Sequence, residues 1–177
     1  MLERFGDPDV YRDSEHALGR ELTLHEVIQL EFATVTSPVA EVVAWLLDTV
    51  RIRRGFAELA RAHRPLVISA GFHELIEPVL ARAGVELEVL ANRLDPRPDG
   101  WHVLWRDETA CAVCGEPCKR RALAGEAYVY VGDGYSDRCA ALGAERIFAR
   151  DGLAAHLDAV GVPYEPLTDF VELAASL

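Results

Sequence analysis

Positive charge is scarce in this chain: 18 Lys and Arg stand against 29 Asp and Glu, a formal net charge of −11. A nucleic-acid partner calls for a basic face, and the densest basic clusters, Arg51-Ile52-Arg53-Arg54 and Lys119-Arg120-Arg121, are short. Nucleic-acid binding is therefore excluded, and the acidity reads as a solvated surface. Long apolar runs are absent too, so no segment approaches the length of a membrane span. The opening Met1-Leu2-Glu3-Arg4-Phe5-Gly6 puts no apolar core behind a basic start, which excludes a secretory signal as read and makes the cytoplasm the expected compartment.

What is present suits an α/β protein. Of 177 residues, half are apolar and 27% charged, enough to bury one core with an appendage but not a second full domain. The stretch from Tyr128 to Asp137 is the most informative. Ala127 to Val131 is short, β-branched and aromatic, and Gly132-Asp133-Gly134 follows it, so it reads as a buried strand opening into a glycine turn. Asp133 then stands at the strand's carboxyl end, where ligands of open parallel sheets collect, and Asp137 falls in the first turn of the next helix. Hard carboxylate oxygens there suit Mg²⁺. A turn with a helix cap is the plain alternative for these residues taken alone.

Two further segments tip that balance. Leu66 to Ile68 reads as a second buried strand, ending in Ser69 and Gly71 before an amphipathic helix from about His73 to Ala83. A hydroxyl and free amides at a helix N-terminus make an anion site. Between the two strands Lys119 offers a point charge to the same phosphate.

The order of apolar strand with Ser69, then Lys119, then apolar strand with Asp133 and Asp137 resembles the haloacid dehalogenase superfamily of phosphohydrolases. Ser69-Ala70-Gly71-Phe72, Ala91-Asn92-Arg93-Leu94 and Gly132-Asp133-Gly134-Tyr135-Ser136-Asp137 are similar to its phosphoserine-phosphatase branch and to relatives acting on methylthio-sugar phosphates, over roughly residues 55 to 172. The resemblance implies a Rossmann-like parallel sheet with helices on both faces and a small helical cap. It implies an enzyme that hydrolyses a small phosphorylated metabolite through an aspartyl-phosphate with Mg²⁺. Asp133 would ligate the metal and Asp137 would hold a metal-bound water or orient Lys119. Ser69 and the Gly71 amide would take phosphate oxygens, and Lys119 would neutralise the transferring group.

The family's first motif, a strand ending in Asp-x-Asp that carries the nucleophile and the acid/base, has no counterpart in this sequence. Asp7-Pro8-Asp9 has the spacing, but no strand precedes it, and it reads as a loop. The implied central strand is thus missing, and the chain as written is expected to be inactive or nearly so. A start codon assigned too late, a shortened gene and an abandoned catalytic role compete as explanations. Unpaired buried backbone groups cost about 1–3 kcal/mol each, which favours the first. Otherwise the Ser69 and Asp133 strands must pair directly or borrow a strand, for instance from a second copy in a homodimer. A non-catalytic phosphate- or metal-binding protein is the alternative function.

Residues 1–52 read as the helical cap and residues 53–177 as the core. Leu22 to Thr34 and Val39 to Val50 carry helical spacing, the first opened by Thr23 and Glu26 as a capping box, the second by Ser37 and Pro38. Arg12, Arg20 and His25 are more readily solvated or structural than substrate-facing. Val85 to Leu90 and Trp101 to Trp105 alternate as strands of a hairpin at about 86–106, with Asp95 to Gly100 as an irregular turn. Arg146 to Ala149 reads as a strand, Leu153 to Val160 and Asp169 to Leu177 as helices.

Cys111, Cys114 and Cys118 place three thiols in eight residues beside a glycine, a spacing that zinc favours. Zn²⁺ needs a fourth ligand, for which Cys139 and His102 are candidates. Thiols in a reducing compartment seldom form structural disulfides, so a metal or free thiols in a plain turn are the two readings.

Overall fold

The computed structural model of the chain describes residues 1–123, 125 and 127–177. Its elements run α1 (Leu2–Phe5), α2 (Pro8–Ala17), α3 (Leu24–Ala33), α4 (Val39–Thr49), α5 (Phe56–His63), β1 (Val67–Phe72), α6 (His73–Arg82), β2 (Val89–Arg97), β3 (Gly100–Leu104), β4 (Val129–Gly132), α7 (Arg138–Ala141), β5 (Arg146–Ala149), α8 (Asp151–Val160), β6 (Glu165–Pro166) and α9 (Phe170–Ser176). Short 3₁₀ turns cover Lys119–Leu123 and Tyr135–Asp137. The strands form two three-stranded sheets, ordered β1-β2-β3 and β4-β5-β6. Two compact units result: residues 1–51 with 69–106, and residues 52–68 with 107–177. No helix among the described residues is long and apolar enough to cross a membrane.

The first unit joins the N-terminal helices to the end of β1, α6 and the β2–β3 hairpin. Local chemistry fixes where its helices start. Thr23 accepts from the Glu26 amide and its own amide donates to the Glu26 carboxylate, the capping box that the sequence announces. Asp7, read as loop, instead caps α2, its Oδ1 accepting from the amides of Asp9 and Val10 with Pro8 in the first turn. Ser37 provides no side-chain cap for α4; Pro38 takes the cap position, and the Ser37 carbonyl accepts the Trp101 indole N–H at 2.9 Å. Ile28, Phe32, Val35, Val42, Phe72, Leu94 and Trp101 form the buried core of this unit.

The hairpin departs from expectation in its first strand and its turn, while β3 lies within one residue of it. Residues 85–88 are irregular and β2 begins only at Val89, but it then continues through Pro96 to Arg97, leaving Pro98 and Asp99 as the turn. Arg97 pairs with Gly100 across this two-residue turn and Pro96 with Trp101. Hydrogen-bonded and non-bonded pairs alternate in an antiparallel ladder, so next to the closing pair the proline needs no N–H toward β3 and is tolerated.

In the second unit β4, β5 and β6 run parallel. Alternation sends Tyr130, Ile147 and Ala149 against Ala140 and Ala141 of α7 and Leu153 and Leu157 of α8, while Val131 and Phe148 meet Leu59 of α5 and Leu173 of α9. Helices thus cover both faces, as a parallel sheet requires. Leu153 and Leu157 are fully buried, each contributing roughly 1.5–3 kcal/mol of transfer free energy. Among the described residues the strands of Ser69 and Asp133 are not hydrogen-bonded neighbours. β1 pairs with β2 and β4 with β5, each at the edge of its own sheet.

Candidate functional site

The carboxyl end of β4 carries a polar network centred on Asp137. Asp137 is a buried carboxylate, 4% exposed, and four donors converge on it. Lys119 Nζ at 2.6 Å and Tyr130 Oη at 2.8 Å donate to Oδ1; the amides of Asp133 at 3.0 Å and Gly134 at 2.9 Å donate to Oδ2. A carboxylate offers about four lone-pair sites, and all are in use. Burial opposes ionisation of Asp137, but Lys119, the Gly134 amide and the Tyr130 hydroxyl outweigh it and hold the pKa below the ordinary value. Tyr130 responds in the opposite direction, its phenol pushed up by burial and then by the Asp137 charge.

Gly132 makes this approach feasible. A Cβ there would stand 2.7 Å from Asp137 Cγ and 2.8 Å from Oδ2, so any larger residue would displace the carboxylate. The turn is tied from the far side as well, since the Asp133 carbonyl accepts the Leu153 amide at 3.0 Å.

Asp133 is placed differently. It retains exposed surface, yet its pKa is raised, first because the packed strand end withdraws the carboxyl from water, then by the charges of Asp137 and, more weakly, Asp151; Lys119 opposes them. Lys119 is already committed to Asp137, with both side chains nearly enclosed. A hard oxygen donor in a surplus of negative charge fits a divalent cation. Asp137 fits less well as a direct ligand, because ligation would compete with its four hydrogen bonds.

Lys119, Asp133 and Asp137, picked from the sequence, therefore meet at one strand end. Ser69 and Gly71 belong to the first unit, where the Gly71 amide donates to Ser69 Oγ at 3.0 Å. Ser69 lies inside β1, which runs on to Phe72, not past its end as expected. His25 stacks on Trp105, ring centroids 3.8 Å apart, and Arg12 pairs with Asp9 and Asp13 at the surface. Tyr130 escaped notice because it reads as strand core. Lys119 carried a stronger signal than its spacing: it is the only lysine in the sequence.

All four cysteines also gather in the second unit, their sulfurs within 4.8 Å of one another. Cys139 completes the group, and His102 lies in the first unit, 3.4 Å from Asp99.

The haloacid dehalogenase-like hydrolase family model matches residues 10–142, three quarters of the sequence, and the chain belongs to that family of hydrolases. Relatives from Bacillus cereus (strain B4264) and Bacillus thuringiensis (strain Al Hakam) are each 24% identical over 190 residues, covering 100% of this chain and 87% of theirs. Both are named 2-hydroxy-3-keto-5-methylthiopentenyl-1-phosphate phosphatase. Among solved structures, a phosphoserine phosphatase from T. onnurineus superposes with a TM-score of 0.65 at 16% identity, over 96% of this chain and 80% of that one. At that identity the likeness concerns the fold alone.

Proposed function

We propose that this chain carries the metal- and phosphate-handling machinery of a phosphomonoesterase acting on a small phosphorylated metabolite. The observation that supports it is the buried Lys119–Asp137 pair beside Asp133 at the carboxyl end of a parallel strand. Lys119 spends one N–H on Asp137 and keeps two to meet phosphate oxygens. Asp137, held ionised, keeps the ammonium in position; of the two roles the resemblance leaves it, its hydrogen bonds favour orienting Lys119. Asp133 would contribute a ligand to Mg²⁺, which when bound shields charge between carboxylate and phosphate. Ser69 and the Gly71 amide are assigned to phosphate by the resemblance; the amide's bond to Ser69 Oγ leaves the hydroxyl proton free for an acceptor.

The aspartyl nucleophile is the part without a counterpart in residues 1–177. Asp7 spends its Oδ1 capping α2, and Asp9 pairs with Arg12. The 177-residue chain is therefore expected to turn over poorly if at all. Similarity over 100% of this chain and 87% of the Bacillus enzymes makes their methylthio-substituted phosphate ester the first substrate to try, with phosphoserine, to which the motif resemblance points, second.

The test compares Mg²⁺-dependent hydrolysis of an aryl phosphate by this chain and by a version extended upstream in frame. Activity in the extended protein alone is the expected result. Activity in both would place a nucleophile within residues 1–177 and overturn the assignment. No activity in either, with a phosphate analogue still bound, would favour a non-catalytic binding protein.

A further inference from the structure

Two separate segments deliver thiols to one point. Cys111 and Cys114 lie on the loop after β3, Cys118 immediately precedes Lys119, and Cys139 is the second residue of α7. All four are free, and Cys111 and Cys139 sulfurs lie 3.9 Å apart. A disulfide needs about 2.05 Å and would join only two of them. Four thiolates around one Zn²⁺ at about 2.3 Å stand about 3.8 Å from each other, close to the spacing already present.

The loop is shaped for the first two ligands. The Val113 amide donates to Cys111 Sγ at 3.4 Å, the Gly115 amide to the Cys111 carbonyl at 2.9 Å, and the Cys111 amide to the Glu116 carbonyl at 3.0 Å. Gly115 takes φ +79°, a left-handed turn directly after the second cysteine that a side chain would strain. The turn thus aims a backbone amide at Cys111 Sγ and leaves the sulfur facing the other three thiols. Arg121 closes the loop by pairing with Asp107 at 2.7 Å, an interaction that holds Asp107 down to about 2. Arg120, which reaches the Cys139 carbonyl, brings positive charge beside a filled four-thiolate site.

We propose that Cys111, Cys114, Cys118 and Cys139 bind one structural Zn²⁺, and that this ion pins Lys119 against Asp137. Cys118 precedes Lys119 by one residue and Cys139 follows Asp137 by two, so two of the ligands belong to the two backbones that the ion pair joins. Arg120 adds a third tie between them, donating to the Cys139 carbonyl at 3.3 Å. Loading forms four Zn–S bonds and releases the four thiol protons to solvent. The ion stands apart from the Mg²⁺ proposed at Asp133, and soft thiolates against hard oxygen keep the two metals distinct.

Elemental analysis of the reduced 177-residue protein, purified with zinc in the medium, is expected to give about one zinc per chain, with Cys118→Ser and Cys139→Ser each abolishing tight retention. Because those variants can fail to fold, the unmutated protein stripped by chelator is titrated with Co²⁺, and a tetrahedral cobalt–thiolate spectrum is expected. Pinning is read separately: an amine-reactive reagent followed by mass spectrometry should modify Lys119 several-fold faster after zinc removal. Absence of zinc and of the cobalt spectrum overturns the site. Zinc that survives both substitutions overturns the ligand set. Unchanged Lys119 labelling overturns the pinning role. None of these readouts depends on phosphatase activity.

Discussion

Asp137 accepts four hydrogen bonds while almost entirely out of water, so its removal exposes several dependencies together. Asp137→Ala leaves the Lys119 ammonium without its counter-charge and two turn amides without an acceptor. Breaking one side of an enclosed ion pair costs about 3 kcal/mol, and that loss is expected in urea unfolding at pH 7. The folded pKa of Asp137 is depressed, so its contribution is present above the ordinary aspartate value and is lost as pH falls through the folded value. The gap between the two proteins should therefore narrow below about pH 4. A gap under 1 kcal/mol at pH 7, or one that persists unchanged into acid, would contradict the charge assignment. The residue types at this site were legible because Gly-Asp-Gly with a second aspartate four residues on is a local pattern. Which of the two carboxylates is saturated with donors was not, since Tyr130 and Lys119 reach Asp137 only through the fold.

At the level of elements, the end of β4 is shaped by what Gly132 lacks. Gly132→Ala puts a methyl carbon into the space of the Asp137 carboxylate and is expected to cost about 1–3 kcal/mol, as overpacking does. The backbone of Gly132 is not left-handed, so the cost is purely steric and should depend on Asp137 being there. An Asp137→Ala background removes the contacts with Cγ and Oδ2 but keeps the residue-137 Cβ 2.9 Å from the new methyl, so Gly132→Ala should cost less there without becoming neutral, and a double-mutant cycle in urea reads that coupling directly. Additive costs would mean that strand geometry, not the carboxylate, sets the requirement for glycine. Other elements show why sequence reading stopped short. The sequence reads the strand as Leu66 to Ile68, with Ser69 and Gly71 leading into the helix, yet β1 runs to Phe72 beside β2, and Asn92 supports it by donating to the Ala70 carbonyl at 2.9 Å while accepting the Arg106 amide at 3.0 Å. Pairing to a neighbour outweighed local propensity, and no single segment contains that information. By contrast α3, α4 and β5 lie within two residues of expectation, because capping chemistry and helical or strand periodicity are written in adjacent residues.

For the whole molecule, the class of fold was legible and its partition into sheets was not. Parallel strands flanked by helices follow from apolar runs alternating with amphipathic ones, and β4, β5 and β6 realise that pattern. Of the two expectations for the Ser69 and Asp133 strands, direct pairing is not seen among the described residues: each pairs within its own three-stranded sheet, an arrangement fixed by contacts far apart in the chain. The net charge of −11 bears on the same scale, because in an acidic protein a further carboxylate with acidic neighbours opposes folding unless a cation answers it. Asp133 is in that position, beside Asp137 and Asp151, with Lys119 already engaged. Without divalent metal, Asp133→Asn should therefore melt at or above the temperature of the unmutated protein. Mg²⁺ should reverse the order: an ion that binds only the folded state at 100 times its Kd adds about 2.7 kcal/mol, and only the protein that keeps Asp133 can collect it. Thermal melts with and without Mg²⁺, matched in ionic strength with NaCl to remove general screening, separate the outcomes. Equal Mg²⁺ shifts in both proteins would mean that the ion acts on the acidic surface at large, and Asp133 would lose its assignment as a metal ligand.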